Sequence, residues 1–184
     1  MILTSHRRIP MLHQDLEQAL NNQVNAEFYS AYFYLSMSTY AEQQGYKGAS
    51  WWLFCQFHEE MTHALHMQTY ILSRGGTCSY SAIEVPPTEF TGLIDVFNQV
   101  LEHEQKVTTM INDIASLAMQ HQDHALYQFI MWYVSEQVEE EEHVSDVLQR
   151  MRLIGENTSM LLQYDAELAT RVFANPFPTD VKMI

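Results

Sequence analysis

The segment FHEEMTHALH, residues 57–66, places charged side chains within a core-like helical pattern. Within it Glu60 and His63 are one helical turn apart, so their side chains leave a helix on the same face. The other positions of that face are mostly apolar, and they are Ala49, Leu53, Gln56, Met67 and Tyr70. A carboxylate and an imidazole in a buried stripe need a partner, because desolvating an unpaired charge costs several kcal/mol. The pattern therefore favours a metal ion, provided that other parts of the chain bring ligands to the same depth.

The composition fits a helical protein and disfavours several classes of function. The 184 residues are 47% hydrophobic, and the six glycines and five prolines fall between long periodic runs, which is typical of helices. The 23 acidic and nine basic residues give a formal net charge of −14, which disfavours nucleic acid and anionic membranes and favours cationic ligands. The longest uncharged aromatic run, residues 28–41, is shorter than the ~20 residues that span a bilayer. Cys55 and Cys78 form no C-x-x-C pair, and no signal peptide is visible, so we predict a reduced, cytoplasmic protein.

Hydrophobic periodicity predicts a single all-α domain over residues 1–184, with four long helices and a short fifth. The approximate bounds are 10–43, 48–74, 92–120, 124–154 and 158–172. Short joints make the first two helices, and the next two, antiparallel hairpins. The connection 75–91 reaches ~50 Å when extended, whereas the helix before it is only ~40 Å long. The third helix is therefore predicted to begin at the opposite end of the bundle, after a long crossover.

The two hairpins repeat a polar pattern at a constant offset. The inward acid of the first helix, Glu27, precedes Glu60 by 33 residues, and Glu104 precedes Gln137 by the same distance. A shift of 77 residues relates the two sets, carrying Glu27, Glu59, Glu60 and His63 onto Glu104, Glu136, Gln137 and Glu140. Two such hairpins, related by a pseudo-twofold axis, bring six side chains that can bind metal to one depth in the core.

Counting charges in this layer favours a pair of metal ions. Glu27, Glu60, Glu104 and Glu140 supply four negative charges, which two divalent cations neutralise. Oxygen-rich ligation with a single imidazole suits iron or manganese better than a structural zinc site, which normally uses Cys and His. A di-iron site with open positions binds oxygen between the metals and takes electrons from both.

These motifs closely resemble those of the non-haem bacterial ferritins. The resemblance is carried by Glu27, Glu60-x-x-His63, Glu104 and residues 132–142, WYVSEQVEEEE. A Glu on one helix with Glu-x-x-His on another is an established arrangement of ferritin-like carboxylate bundles. The resemblance covers nearly all of the chain and implies a ferritin-like four-helix bundle with a crossover between the second and third helices.

The resemblance also implies the roles of individual residues. Glu27, Glu60 and His63 match the first iron position, while Glu104 and Glu140 match the second, with Glu60 as the bridge.

Other residues match the surroundings of this pair. Glu59, Glu136 and Glu139 match a third, weaker iron position, and Gln137 lies near the second. Tyr34 matches the tyrosine beside the centre.

The resemblance implies a ferroxidase that oxidises Fe(II) with O2 or H2O2 at a centre for two iron ions, with a third nearby. It also implies that twenty-four copies form a hollow shell and that the ferric mineral is stored inside it.

Several alternatives stay open at this point. Haem-binding bacterioferritins carry a second Glu-x-x-His, whereas the equivalent pair here is Gln137 and Glu140. Met61 occupies the position of their haem-ligating methionine, but non-haem relatives often have Met there too. No haem is therefore expected. His143 follows Glu140 at the right spacing but is one turn out of register with the repeat. A di-iron oxidase or peroxide reductase without a shell is a second hypothesis, and a structural bundle without metal is a third.

Overall fold

The computed structural model describes residues 12–177 and contains five α-helices. Their bounds are α1 Gln14–Gln43, α2 Lys47–Ser73, α3 Leu93–Gln120, α4 His124–Ile154 and α5 Thr158–Leu168. No strand occurs within the described residues, so the predicted all-α class is confirmed. Within residues 12–177, none of the helices is long and apolar enough to cross a membrane.

The helix ends differ from the predicted bounds by more than one residue at two places. The predicted start at Pro10 lies outside the described residues, and α1 begins at Gln14 after His13, whose ring accepts a hydrogen bond from the Asp15 N–H. The fifth helix ends at Leu168, four residues before the predicted end. The chain turns away after this point because Arg171 packs back onto α2, where its carbonyl accepts a hydrogen bond from Trp51 Nε1 at 2.8 Å.

The connection between α2 and α3 runs along most of α1. Near its start, the side-chain amide of Asn21 donates to Thr77 O at 3.0 Å and its oxygen accepts from Ser79 N at 2.7 Å. Near its end, Ser36 Oγ donates to Pro87 O at 2.6 Å. The connection therefore crosses to the opposite end of the bundle, as the chain lengths predict.

In the bundle α1 packs mainly against α2, and α3 packs mainly against α4. The two pairs meet where α1 packs against α3. The fifth helix lies across the beginning of α2, where both carboxylate oxygens of Asp165 accept hydrogen bonds from the N–H groups of Gly48 and Ala49. A Cβ at Gly48 would lie 1.6 Å from Asp165 O, so only glycine permits this contact.

The core consists of two apolar clusters with a polar layer between them. Met37, Leu53, Phe97 and Val144 belong to one cluster. Leu20, Met67, Ile111 and Ile130 belong to the other. Each of the four long helices contributes to both clusters, so the side chains halfway along each helix meet at the centre of the bundle.

Candidate metal centre

The polar layer contains one buried carboxylate from each long helix. Glu27 on α1, Glu60 on α2, Glu104 on α3 and Glu140 on α4 are all between 1% and 3% exposed. Each occupies a core-facing position of its helix that would otherwise hold an apolar residue. The hydrophobic period of the helix therefore continues before and after it. Four acids at this depth need compensation, because buried charges persist only when they are paired or bound to metal.

Glu27, Glu60 and His63 form a preformed group of metal ligands. One ligand atom from each lies within 4.8 Å of the others, and all three side chains are buried. His63 Nδ1 is 3.5 Å from Glu60 Oε2, and Gln23 Nε2 donates to Glu27 Oε1 at 2.9 Å. Two carboxylates and one imidazole can hold a divalent transition metal ion at this position.

Glu104 and Glu140 belong to the same buried layer and are oriented by hydrogen bonds. The Tyr34 hydroxyl donates to Glu104 Oε1 at 2.6 Å, and Gln137 Nε2 donates to Glu104 Oε2 at 3.1 Å. Gln56 Nε2 donates to Glu140 Oε2 at 2.6 Å. Donors that hold a ligating carboxylate in place are typical of metal sites.

Mutual repulsion and burial perturb the titration of these acids. Burial raises the pKa of Glu60 well above its usual range, and the charges of Glu104 and Glu27 raise it further. Burial also raises the pKa of Glu140, with Glu104 as the next cause. The pKa of Glu104 rises to about 7 because of burial, against the lowering effect of the hydrogen bonds from Tyr34 and Gln137. Each carboxylate is thus stabilised by any cation that enters the layer.

The state of His63 also fits a metal ligand. Burial lowers the pKa of this imidazole, although the charges of Glu27 and Glu59 oppose the shift, so the neutral form is favoured. Its Nε2 is buried without a hydrogen-bond partner among residues 12–177 and lies 4.0 Å from Glu136 Oε1. The neutral ring can therefore offer a lone pair to a metal ion beside Glu60.

The acids predicted for a third position lie on the outer side of the same centre. Glu59 and Glu136 are partly buried, whereas Glu139 is exposed. Burial raises the pKa of Glu59, the charge of Arg171 opposes the shift, and the charge of Glu136 adds to it more weakly. Glu59 is not free, because its carboxylate accepts a hydrogen bond from Arg171 at 2.5 Å. Burial raises the pKa of Glu136, and the charge of Glu139 raises it further. The exposed His143 opposes this shift more weakly.

Sequence reasoning assigned no role to Gln23, Gln56 or Arg171. The two glutamines each lie one turn before an inward acid on the predicted stripes, so their polarity was an available signal. The predicted fifth helix, 158–172, includes Arg171, but the observed helix ends at Leu168, and nothing in the sequence pointed to the contacts that Arg171 makes.

Among the described residues a second group of possible ligands lies on the surface, and it consists of His13, Asp15 and His121. Asp15 Oδ2 lies 3.4 Å from His13 and 3.6 Å from His121. The side chains of His13 and Asp15 are more than half exposed. Water therefore solvates their charges, and no desolvation cost has to be offset by a bound metal. The buried layer is therefore the candidate centre.

A crossover four-helix bundle with a layer of inward carboxylates defines the ferritin-like class. A family model described as the ferritin-like domain matches residues 17–154. The chain therefore belongs to the ferritin-like family, which confirms the resemblance seen in the motifs.

Relatives of known name and structure agree with this membership. A probable bacterial non-heme ferritin-like protein of Haemophilus influenzae is 36% identical over 158 residues, 86% of this chain and 96% of the relative. A bacterial non-heme ferritin of Staphylococcus aureus is 32% identical over 163 residues, 89% and 98% of the two chains. The open-pore ferritin of the archaeon Archaeoglobus fulgidus is 43% identical, with a TM-score of 0.87 over 89% of this chain and 100% of that structure.

Proposed function

We propose that this protein is an iron-storage ferritin that oxidises Fe(II) in the buried carboxylate layer. The observation that carries the proposal is the group formed by Glu27, Glu60 and His63, with Glu104 and Glu140 completing the layer. The names of the non-heme ferritin relatives support iron as the substrate. We further propose that the whole chain is one ferritin-like domain and acts in the cytoplasm without haem.

The proposed roles of the residues follow from their positions. Glu27, Glu60 and His63 bind one Fe(II), and Glu104 and Glu140 bind a second, with Glu60 between them. The four carboxylates neutralise two divalent ions and hold them close together. Electrons then pass from both ions to O2 or H2O2, while the protein supplies positioning and charge rather than acid–base catalysis.

Tyr34 and Gln137 are proposed to position the second iron ion. Both donate hydrogen bonds to Glu104 and leave it little rotational freedom. Burial and the charge of Glu104 raise the pKa of Tyr34 well above its usual range, so the phenol stays neutral and remains a donor. A fixed Glu104 keeps the two ions at a constant separation during turnover.

The proposal of a storage shell predicts a large assembly. A shell of 24 chains of 21.5 kDa each has a mass of about 0.5 MDa. A shell with closed point-group symmetry contains a fixed number of copies, so its mass is a single value. We expect gel filtration with light scattering to give this mass and to show iron co-eluting after aerobic loading with Fe(II). A non-cage oxidase or peroxide reductase would instead elute as a monomer or dimer and would release its ferric product. That result would contradict the storage function while leaving the oxidation chemistry open to test.

A further inference from the structure

The segment after α5 covers one side of the candidate centre. Residues 169–177 run along α2 in the direction of its chain. At one end, the Arg171 carbonyl is held by Trp51, and further along, the Phe173 ring lies 5.5 Å from that of His58. At the other end, the Phe177 ring stacks on His66 with 3.6 Å between the ring centroids. We call residues 169–177 the C-terminal strap.

The strap directs a guanidinium group into the bundle. The Arg171 side chain is 18% exposed, and its Cζ lies 4.4 Å from the centre of the Trp52 ring. Its Nη2 donates to the side-chain oxygens of Gln56 and Glu59. Because Arg cannot accept a hydrogen bond, the oxygen of the Gln56 amide must face Arg171 and the nitrogen must face away.

Arg171 therefore contacts Glu59 directly and the inner layer through Gln56. Glu59 in turn interacts electrostatically with Glu136. The carboxylate of Glu136 lies 4.0 Å from His63 Nε2. Through Gln56, Arg171 reaches Glu140, since Gln56 Nε2 donates to Glu140 Oε2 at 2.6 Å. A positive charge is thus held where an additional cation would bind Glu59, outside the positions proposed for the first two ions.

We propose that Arg171 is a built-in cation that occupies the third metal position, and that an ion binds between Glu59 and Glu136 only when the strap moves Arg171 away. This inference rests on the proposed function, because it concerns a third ion beside a centre for two. A guanidinium and a divalent ion exclude each other at one carboxylate, since like charges a few ångströms apart repel strongly at a partly buried site. Arg171 thereby determines how many metal ions the centre holds.

The test compares metal binding by the assembled protein and by Arg171→Gln. Anaerobic calorimetric titration with Fe(II) measures the affinities without oxidation. We expect two ions per chain to bind the inner layer in both proteins, and the third ion to gain at least about tenfold more affinity than those two in Arg171→Gln, because the competing charge is gone from Glu59 itself. Anomalous maps of both proteins, soaked in the same Fe(II) solution, locate the third ion beside Glu59 and Glu136.

Two further variants separate charge from mere anchoring. Arg171→Lys keeps a positive charge on the strap and should leave the third ion weakly bound. Arg150→Gln removes a surface arginine that pairs with Glu167 at 2.8 Å, and it should change neither stoichiometry nor affinity.

The outcomes are distinguishable from those of the proposed function. An unchanged or weaker third ion in Arg171→Gln overturns the inference, even if the variant is less stable. The inference also fails if Arg171→Lys behaves like Arg171→Gln, because charge is then not the cause. If no ion binds at the inner layer in any of these proteins, the proposed function itself is wrong.

Discussion

Replacing Glu60 by Ala should abolish rapid Fe(II) oxidation. Glu60 lies between the proposed positions of both ions, and it is buried at 3% exposure. Altering even the residues that support a metal ligand typically lowers metal affinity or activity 10–100-fold, so loss of a shared ligand should lower the initial rate by at least about 100-fold. Stopped-flow absorbance after mixing apo-protein with Fe(II) and oxygen measures this rate.

A matched control distinguishes site loss from general loss of acidity. Glu142→Ala removes an exposed glutamate on α4 and should oxidise Fe(II) at the unaltered rate. If Glu60→Ala retains the rate of the unaltered protein, oxidation does not occur in the buried layer. A structural bundle without metal would show no dependence of oxygen uptake on Fe(II) in any of these proteins.

The second large effect concerns the stability of the metal-free protein. Glu104 has a pKa of about 7 in the folded protein because of burial, compared with an ordinary value of 4.5. The folded state thus keeps a proton that the unfolded chain releases, and stability falls by roughly 3 kcal/mol as the pH rises from 4.5 through 7. Glu104→Gln removes this pH-dependent loss of stability. It also weakens the hydrogen bond that Gln137 donates to Glu104, which costs about 1 kcal/mol of stability.

The sign of the Glu104→Gln effect should therefore change with pH. We expect the metal-free variant to be less stable by about 1 kcal/mol at pH 4.5 and more stable by about 2 kcal/mol at pH 8, as measured by urea unfolding. The exposed substitution Glu102→Gln on the same helix should produce no such crossover. With saturating Fe(II) under anaerobic conditions, the unaltered protein should become the more stable one, because bound metal stabilises the folded state. A constant difference across the pH range would contradict the burial of an ionisable Glu104.

The helices and the carboxylate layer were predictable because they follow from local periodicity. Glu27 and Glu60 stand in stripes that are mostly apolar, and a constant spacing relates them to Glu104 and Gln137. The 3.6-residue period then places each at the same depth as its counterpart, without any knowledge of tertiary contacts. The crossover was predictable for a similar reason, since the reach of residues 75–91 exceeds the length of the helix that they must pass.

The contacts that orient the layer were harder to predict. Gln56 lies on an inward stripe, but its hydrogen bond to Glu140 joins residues 84 positions apart, and only the relative rotation of two helices decides it. Arg171 was predicted to lie within the fifth helix but follows its observed end at Leu168, and its contact with Glu59 depends on the path of the strap. The early end of α5 has the same origin, because long-range packing overrides local helix propensity after Leu168.

The most direct test of the account is an anomalous difference map at the iron edge from crystals soaked anaerobically in Fe(II). We expect two adjacent peaks in the buried layer, one beside Glu27 and His63 and one beside Glu104 and Glu140, with Glu60 between them. A layer without metal, in which Glu27 and Glu104 contact only protein groups at saturating Fe(II), would contradict it.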